Sequence, residues 1–88
     1  MIVQTKDYAI RLSKNCKLEV RRHGYNLATG EVDYRVVVYF FKKGEKIHEE
    51  EIARYNSEEE ARKLFSELVT AWASGEKLFS VPDIDYVN

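Results

Sequence analysis

Two histidines, His23 and His48, are the side chains of this sequence best suited to acid–base chemistry near neutral pH. A histidine pair that acts on one bond must bring both rings within hydrogen-bond reach of the reacting atoms. The two residues fall in different predicted strands, His23 beside Asp33 and His48 beside Tyr39. At the rise per residue of a β-strand, these positions place the two rings about 15–20 Å apart. We therefore predict that both are surface residues and do not form a catalytic pair.

The other reactive side chains also fail to form a recognisable catalytic or metal site. Cys16 begins a predicted strand on its apolar face without a histidine neighbour, which favours a small buried side chain over a nucleophile. No cysteine–histidine cluster has metal-site spacing. Asp83 and Asp85 are a poor cation site on their own, and the glycines are isolated rather than grouped in a phosphate loop. We predict a protein that is not an enzyme, with no catalytic residue, metal, cofactor or small-molecule substrate; a small histidine-dependent enzyme is the least favoured alternative.

Length and charge limit the remaining classes of function. The 88 residues predict a single domain over 1–88. With 14 basic and 15 acidic residues, the net charge of -1 argues against a strong sequence-independent grip on nucleic acid. The single cysteine cannot form an internal disulfide, and no apolar run suits a signal peptide or a membrane span. We therefore expect a cytoplasmic protein without membrane association.

Four segments show the alternation of apolar and polar residues that predicts β-strands. They span 8–12, 16–25, 32–41 and 46–55, and the segments between them are rich in turn residues. Tight turns between these segments would place their apolar residues on one common face of the sheet, which favours an antiparallel meander. The expected neighbours on that face are Leu12 and Cys16, Ile10 and Leu18, Tyr8 and Val20, Leu18 and Val20 with Val36 and Val38, and Phe40 and Ile47.

The last of these strands does not keep a regular alternation. Ile47 and Ile52 lie five positions apart, so both can face the core only if the strand contains a β-bulge, which we place near residues 49–51. The glutamates at these positions are typical of a solvated edge strand.

Residues 57–74 carry the pattern of an amphipathic helix. Asn56 or Ser57 is the expected N-cap, each with a glutamate three positions later, and Gly75 is the expected end. The predicted apolar stripe consists of Ala61, Leu64, Phe65, Leu68 and Trp72. The apolar tail at 76–88 would either add a short extra strand or fold over a surface of the domain.

These elements predict an α+β domain with the order ββββα. Its sheet, a four-stranded antiparallel β-meander, spans 2–55, and its single helix, in the C-terminal half of the chain, packs on one face. The opposite face then carries an unexpected apolar row, Val37, Tyr39 and Phe41, surrounded by charged residues. An apolar centre with a charged rim is typical of a binding surface. The predicted partner-binding residues are Arg21, Arg35, Val37, Tyr39, Phe41 and His48, and the same register adds Lys17, Lys46 and Glu50 to this face.

Three arrangements would cover the apolar row. The C-terminal residues Ile84, Tyr86 and Val87 could fold back over it, two copies of the chain could pack sheet to sheet, or a different partner could bind there. The sequence therefore predicts a non-enzymatic protein-interaction module, acting as a small adaptor, regulator or inhibitor of a larger macromolecule. By analogy, compact domains of this kind include many that phages and mobile elements encode.

Single-stranded nucleic acid is the alternative ligand for the same face. Basic residues around Tyr39 and Phe41 resemble the stacking surfaces of single-strand binders. Glu19, Asp33 and Glu50 on the same predicted face oppose this interpretation, because they would repel phosphate groups.

Overall fold

A computed structural model describes residues 1–25, 27–30 and 32–82 of the chain. Within these ranges the fold is α+β, with antiparallel strand pairs and one helix, as the sequence predicts. The elements in chain order are β1 (Ile2–Gln4), β2 (Ala9–Arg11), β3 (Cys16–Tyr25), β4 (Val32–Lys42), β5 (Glu45–Tyr55), α1 (Glu58–Ala73) and β6 (Leu78–Ser80). The strands form two three-stranded sheets rather than one four-stranded meander.

The larger sheet, called here the meander sheet, consists of β3, β4 and β5 in that order. Leu18 lies opposite Val38 and Val20 lies opposite Val36, so the predicted register of these two strands is confirmed. The turn between β4 and β5 places Lys43 at φ 53° and Gly44 at φ 81°. Two successive positive φ values are those of a type I′ turn, whose twist matches that of a two-stranded hairpin.

The prediction for the first strand was wrong. Residues 9–11 do not pair with β3; they pair with β1, with Ile10 opposite Val3. The reason is a local turn, in which the Thr5 N–H donates to the Tyr8 carbonyl at 2.7 Å and the Thr5 hydroxyl accepts the Tyr8 N–H at 3.1 Å. Both the predicted and the observed hairpin have short loops, so loop-closure entropy differs little between them. The prediction failed because no strand was assigned to 2–4, and this partner for 9–11 was therefore missing.

The start of the C-terminal tail forms the predicted extra strand, although in the smaller sheet. β6 pairs with β1 in parallel, with Phe79 opposite Val3, and the Val81 N–H donates to the Gln4 carbonyl at 2.8 Å. Phe79 and Val81 pack against the core. The residues predicted to cap the sheet, Ile84, Tyr86 and Val87, lie outside the described ranges.

The helix begins and ends as predicted. The Ser57 hydroxyl accepts the Glu60 N–H at 3.3 Å, and the chain leaves the helix through Gly75 at φ 78°. Ala61, Leu64 and Leu68 are buried, and the helix packs on all three strands of the meander sheet. Within the described ranges, no helix is long and apolar enough to cross a membrane.

One core joins the helix, the small sheet and one face of the meander sheet. Its buried members are Val3, Ile10, Leu12, Val36, Val38, Ile52, Ala53, Ala61, Leu64 and Leu68. The small sheet thus adds Val3 and Ile10 to the buried core beside the helix, with Phe79 partly buried against them. For a chain of this size, which buries only about 60–65% of its unfolded surface, this second covering layer extends an otherwise thin core.

Strand β5 contains two bulges. Ile52 is the extra residue of one, since Val37 lies opposite Glu51 and Val36 lies opposite Ala53, and Ile52 is only 4% exposed. A bulge therefore returns Ile52 to the core as predicted, but it lies at Ile52 itself, after the predicted positions 49–51. The second bulge was not predicted: Ile47 is its extra residue, so Phe40 lies opposite His48 rather than Ile47. Ile47 is 62% exposed.

Candidate functional site

The charged sheet face is the side of the meander sheet that points away from α1. The strand register assigns its members, because residues directly opposite each other on neighbouring antiparallel strands share a face. β3 contributes Lys17, Glu19 and Arg21; β4 contributes Arg35, Val37, Tyr39 and Phe41; β5 contributes Lys46, Glu49, Glu51 and Arg54. The structure therefore brings together five of the six predicted partner-binding residues.

His48, the sixth, lies on the opposite face. The bulge at Ile47 shifts the alternation of β5, so His48 points to the helix side and its ring stacks on that of Phe40 with centroids 6.0 Å apart. Its Nε2 atom lies 2.6 Å from an oxygen of Glu50, which the same shift moves to that side. The predicted placement of His48 and Glu50 beside Tyr39 was wrong. The bulge at Ile47 moves each residue between it and the next bulge to the other face of the sheet.

Tyr39 lies at the centre of the charged sheet face. It is only 8% exposed, and its neighbour Val37 is 2% exposed. The Arg21 Nη1 atom donates a hydrogen bond to the Tyr39 hydroxyl at 3.0 Å, and the Lys46 ammonium lies 5.2 Å from the centre of the ring. A cation this close to a tyrosine ring is attracted to its π-system. Long charged side chains therefore cover much of the apolar row.

The environment also favours the neutral phenol of Tyr39. Burial raises its pKa above the usual value of 10.0; Arg21 acts in the opposite direction, and Glu19 and Glu49 raise it further. The hydroxyl is therefore a hydrogen-bonding group at neutral pH and not a base.

Two glutamates of β5 link the cations of the face. Glu49 lies 3.2 Å from Arg21 and 3.6 Å from Lys46. Glu51 lies 3.0 Å from Arg35 and 3.2 Å from Arg54. An isolated surface ion pair contributes only about 0–1 kcal/mol, but shared partners restrict each other's side chains. The result is a preformed lattice of alternating charge across the sheet.

Two arginines of this lattice retain an unused hydrogen-bond donor. The Nε atoms of Arg21 and Arg35 are inaccessible to water and make no well-aligned hydrogen bond within the described part of the chain. The Arg35 Nε lies 3.0 Å from Glu51, so this contact is an ion pair without hydrogen-bond geometry. Their stems pack along the sheet while their charges are partnered at its outer surface, as long basic side chains commonly do.

Of the remaining chemically interesting residues, Cys16 lies on the helix side of the meander sheet, and His23 lies at one end of the charged sheet face. The Cys16 thiol donates to the Ser13 carbonyl at 2.8 Å, and burial raises its pKa, which keeps it protonated and weakly nucleophilic. His23 is exposed and lies opposite Asp33 as predicted. Asp83 and Asp85 lie outside the described ranges. Among the described residues, no three histidine, cysteine or acidic side chains gather as a metal site would require.

A shallow groove lies at the far end of the helix. Its volume is about 510 Å³, and Trp72 and Leu12 form an apolar wall beside the basic residues Arg11 and Lys77. A volume of this size can hold a small ligand, but the groove is open and the residues that line it do not form a catalytic set.

Sequence reasoning missed the partners Glu49, Glu51 and Arg54. It treated the glutamate run as a solvated edge, and its register placed only Glu50 on this face. The available signal was the irregular spacing of Ile47 and Ile52. A bulge at each of these residues shifts the alternation of the strand between them and restores it after the second.

The fold and the charged sheet face define a small α+β domain with a preformed polar surface over an apolar row. No family model matches this chain, and neither does any curated protein or solved structure.

Proposed function

We propose that the protein is a non-enzymatic interaction module, a small adaptor, regulator or inhibitor that binds a larger protein through the charged sheet face. One observation carries the proposal. Within the described ranges, the helix and the small sheet pack on one side of the meander sheet, and neither packs over the row of Val37, Tyr39 and Phe41. Tyrosine and arginine are also the residues most enriched at binding hot spots.

The pattern of charge favours a protein partner over a polyanion. Positive and negative groups alternate across the face, and Glu49 and Glu51 each hold two cations. A protein surface can present the complementary alternation, which favours one partner and one orientation over others. A phosphate backbone would have to displace a glutamate for each arginine that it contacted.

The experiment compares a variant of the face with a matched variant of the helix. Lys46→Glu reverses a charge next to Tyr39, and Lys63→Glu makes the same change on the exposed side of α1. The immobilised wild-type protein and both variants are exposed to extract from the source organism, and retained proteins are quantified and mapped by cross-linking. We expect one protein to be retained by the wild type and by Lys63→Glu, to be lost with Lys46→Glu, and to cross-link to the charged sheet face.

Tyr39→Phe adds a finer comparison, because it removes only the hydroxyl that Arg21 contacts. Equal retention by the wild type, Lys46→Glu and Tyr39→Phe, with all three folded by circular dichroism, would exclude this face as the binding surface.

Self-association through the same face is a second form of the proposal. Light scattering behind a sizing column gives the solution mass. A homodimer that Lys46→Glu dissociates, while Lys63→Glu does not, would identify a second copy of the chain as the partner.

Single-stranded nucleic acid remains the alternative ligand, and the observation that favours it is the position of Arg21 and Lys46 over the Tyr39 ring. Binding of labelled single-stranded oligothymidine at low salt, lost steeply as salt increases and strongly weakened by Arg35→Ala, would support it. The absence of binding at low salt would rule it out.

A further inference from the structure

The two edges of the meander sheet differ in how they are protected. β5 carries two bulges, three consecutive glutamates and a hydrogen bond from the Tyr8 hydroxyl to the outward-facing carbonyl of Glu51. These are features by which proteins prevent a foreign strand from adding to a sheet. β3 keeps a regular register with β4 from Cys16 to His23, and its only irregularity follows at Gly24.

The backbone of β3 offers free pairing groups along this regular stretch. The Phe41 N–H donates to the Asn15 carbonyl at 2.9 Å. Hydrogen-bonded and non-hydrogen-bonded pairs alternate in an antiparallel ladder, so odd-numbered residues of β3 bond to β4. The N–H and C=O groups of Leu18, Val20 and Arg22 therefore point outward. Within the described ranges, no strand pairs with this edge.

The two edges also differ in charge. β3 carries three basic side chains, Lys17, Arg21 and Arg22, against the single acid Glu19, whereas β5 carries four acids against two bases. Lys17 and Arg22 are exposed and form no ion pair within the described part of the chain. They lie on opposite faces of β3 and so flank the open edge from both sides.

We propose that the edge of β3 binds an acidic, extended segment of a partner protein, which adds to the meander sheet as a fourth strand. The backbone groups of Leu18, Val20 and Arg22 supply the pairing, as in other strand-addition complexes. Lys17 and Arg22 select acidic side chains on the incoming strand. The inference takes the class of partner, a protein, from the proposed function but assigns the edge of β3, which shares Lys17 with the charged sheet face. Lys46→Glu, which alters that face and not the edge, distinguishes the failure of one from the failure of the other.

The test uses a labelled nine-residue peptide in which glutamate alternates with threonine and valine, and a matched peptide with lysine in place of glutamate. Fluorescence anisotropy with the full chain measures affinity, and amide chemical shifts locate the site. We expect the glutamate peptide to bind in preference to the lysine peptide, with the largest shifts at Leu18, Val20 and Arg22. The double variant Lys17→Glu/Arg22→Glu should reverse this preference without altering the backbone.

A second pair of variants separates the backbone from the charge. Arg22→Ala removes the charge alone, while Arg22→Pro also removes the outward N–H at an edge position where proline is tolerated. We expect Arg22→Pro to bind about threefold to tenfold more weakly than Arg22→Ala, the effect of one hydrogen bond. Lys46→Glu, on the charged sheet face, should affect the peptide less than the double variant does.

Several outcomes would overturn the inference. They are an absence of binding, equal affinity for the two peptides, unchanged preference in the double variant, or amide shifts away from β3. Tighter binding of single-stranded oligothymidine than of the glutamate peptide would assign the basic edge to nucleic acid instead. Self-association that Lys17→Glu/Arg22→Glu abolishes would show that a second copy of the chain occupies the edge.

Discussion

Tyr39 and Tyr8 illustrate how single residues adapt to this fold. Burial raises the pKa of both phenols above 10.0, and Glu50 and Glu51 add to the effect at Tyr8. Each hydroxyl takes part in a hydrogen bond between distant parts of the chain: Arg21 of β3 donates to Tyr39 of β4, and Tyr8, before β2, donates to the Glu51 carbonyl of β5. Both are therefore structural groups at neutral pH, and Tyr39 also belongs to the proposed binding face.

The raised pKa values predict a loss of stability in alkali. A group whose pKa is higher in the folded state stabilises the fold fully below its unfolded pKa, and this contribution disappears as the pH rises through the folded pKa. We expect the free energy of unfolding to decrease above about pH 10. Urea unfolding followed by circular dichroism between neutral and strongly alkaline pH provides the measurement.

Tyr8→Phe and Tyr39→Phe identify the groups responsible. Each should lose stability at neutral pH by about 0.5–1.5 kcal/mol, the net effect of one hydrogen bond, and each should show a weaker dependence on alkaline pH than the wild type. An identical pH dependence in all three proteins would contradict the assignment to these phenols.

At the scale of the element, β5 shows how an irregular strand supports both a core and a polar face. The extra residues of its two bulges differ in burial, because Ile52 lies in the core and Ile47 is exposed. Between the two bulges, the shifted alternation directs Glu49 and Glu51 to the charged sheet face. The irregularity therefore supplies the anions of the lattice.

Replacing each isoleucine by alanine tests this division. Ile52→Ala should destabilise the protein by about 2–5 kcal/mol because it leaves a cavity in the core. Ile47→Ala, with its side chain in solvent, should change stability by less than about 0.5 kcal/mol. Denaturant unfolding of both variants gives the comparison, and similar losses would show that the bulges are misassigned.

The helix cap provides a second prediction at this scale. Ser57→Ala removes the side-chain acceptor for the Glu60 N–H and should cost about 1 kcal/mol. Thermal unfolding measures the loss. Ser57→Asp serves as the control because aspartate is an equally good cap, and a similar loss in both variants would argue against capping as the cause.

At the scale of the whole molecule, the helix and the small sheet together cover one face of the meander sheet. Leu68 is fully buried on the helix, whereas Leu78 on β6 is 54% exposed. Phe79, next to Leu78, pairs opposite Val3 and packs against the core. The docking of β6 against the core therefore depends on Phe79 and not on the neighbouring Leu78.

Three alanine variants test this arrangement. Leu68→Ala should cost about 2–5 kcal/mol, and Phe79→Ala should also be destabilising because it removes a packed aromatic side chain. Leu78→Ala, the matched control, should have little effect. Chemical denaturation measures all three, and a neutral Phe79→Ala would show that β6 contributes little to the core.

Much of this fold could be predicted from local patterns. The alternation of Leu18 and Val20 matches that of Val36 and Val38, so the β3–β4 register follows from the sequence. Ser57, Glu60 and Gly75 define the helix through the chemistry of its ends. The position of Tyr39 on the face opposite the helix follows from the same alternation.

The rest depended on information that local patterns do not contain. The sequence places Ile47 and Ile52 five positions apart but does not show that each is a separate bulge. The bulge at Ile47 alone moved His48 off the charged sheet face. It also does not show that β1 pairs with both β2 and β6, because the β1–β6 pairing joins residues far apart in the chain.

The sequence by itself determined the α+β class, the helix with its caps, the β3–β4 register and the apolar row on the sheet face opposite the helix. These follow from side-chain periodicity and capping, which act over a few residues. Only the tertiary structure decided the second sheet, the bulge at Ile47 and the lattice in which Glu49 and Glu51 hold the arginines. Those features depend on competing long-range pairings whose energies differ only slightly, so packing of the whole chain selects among them.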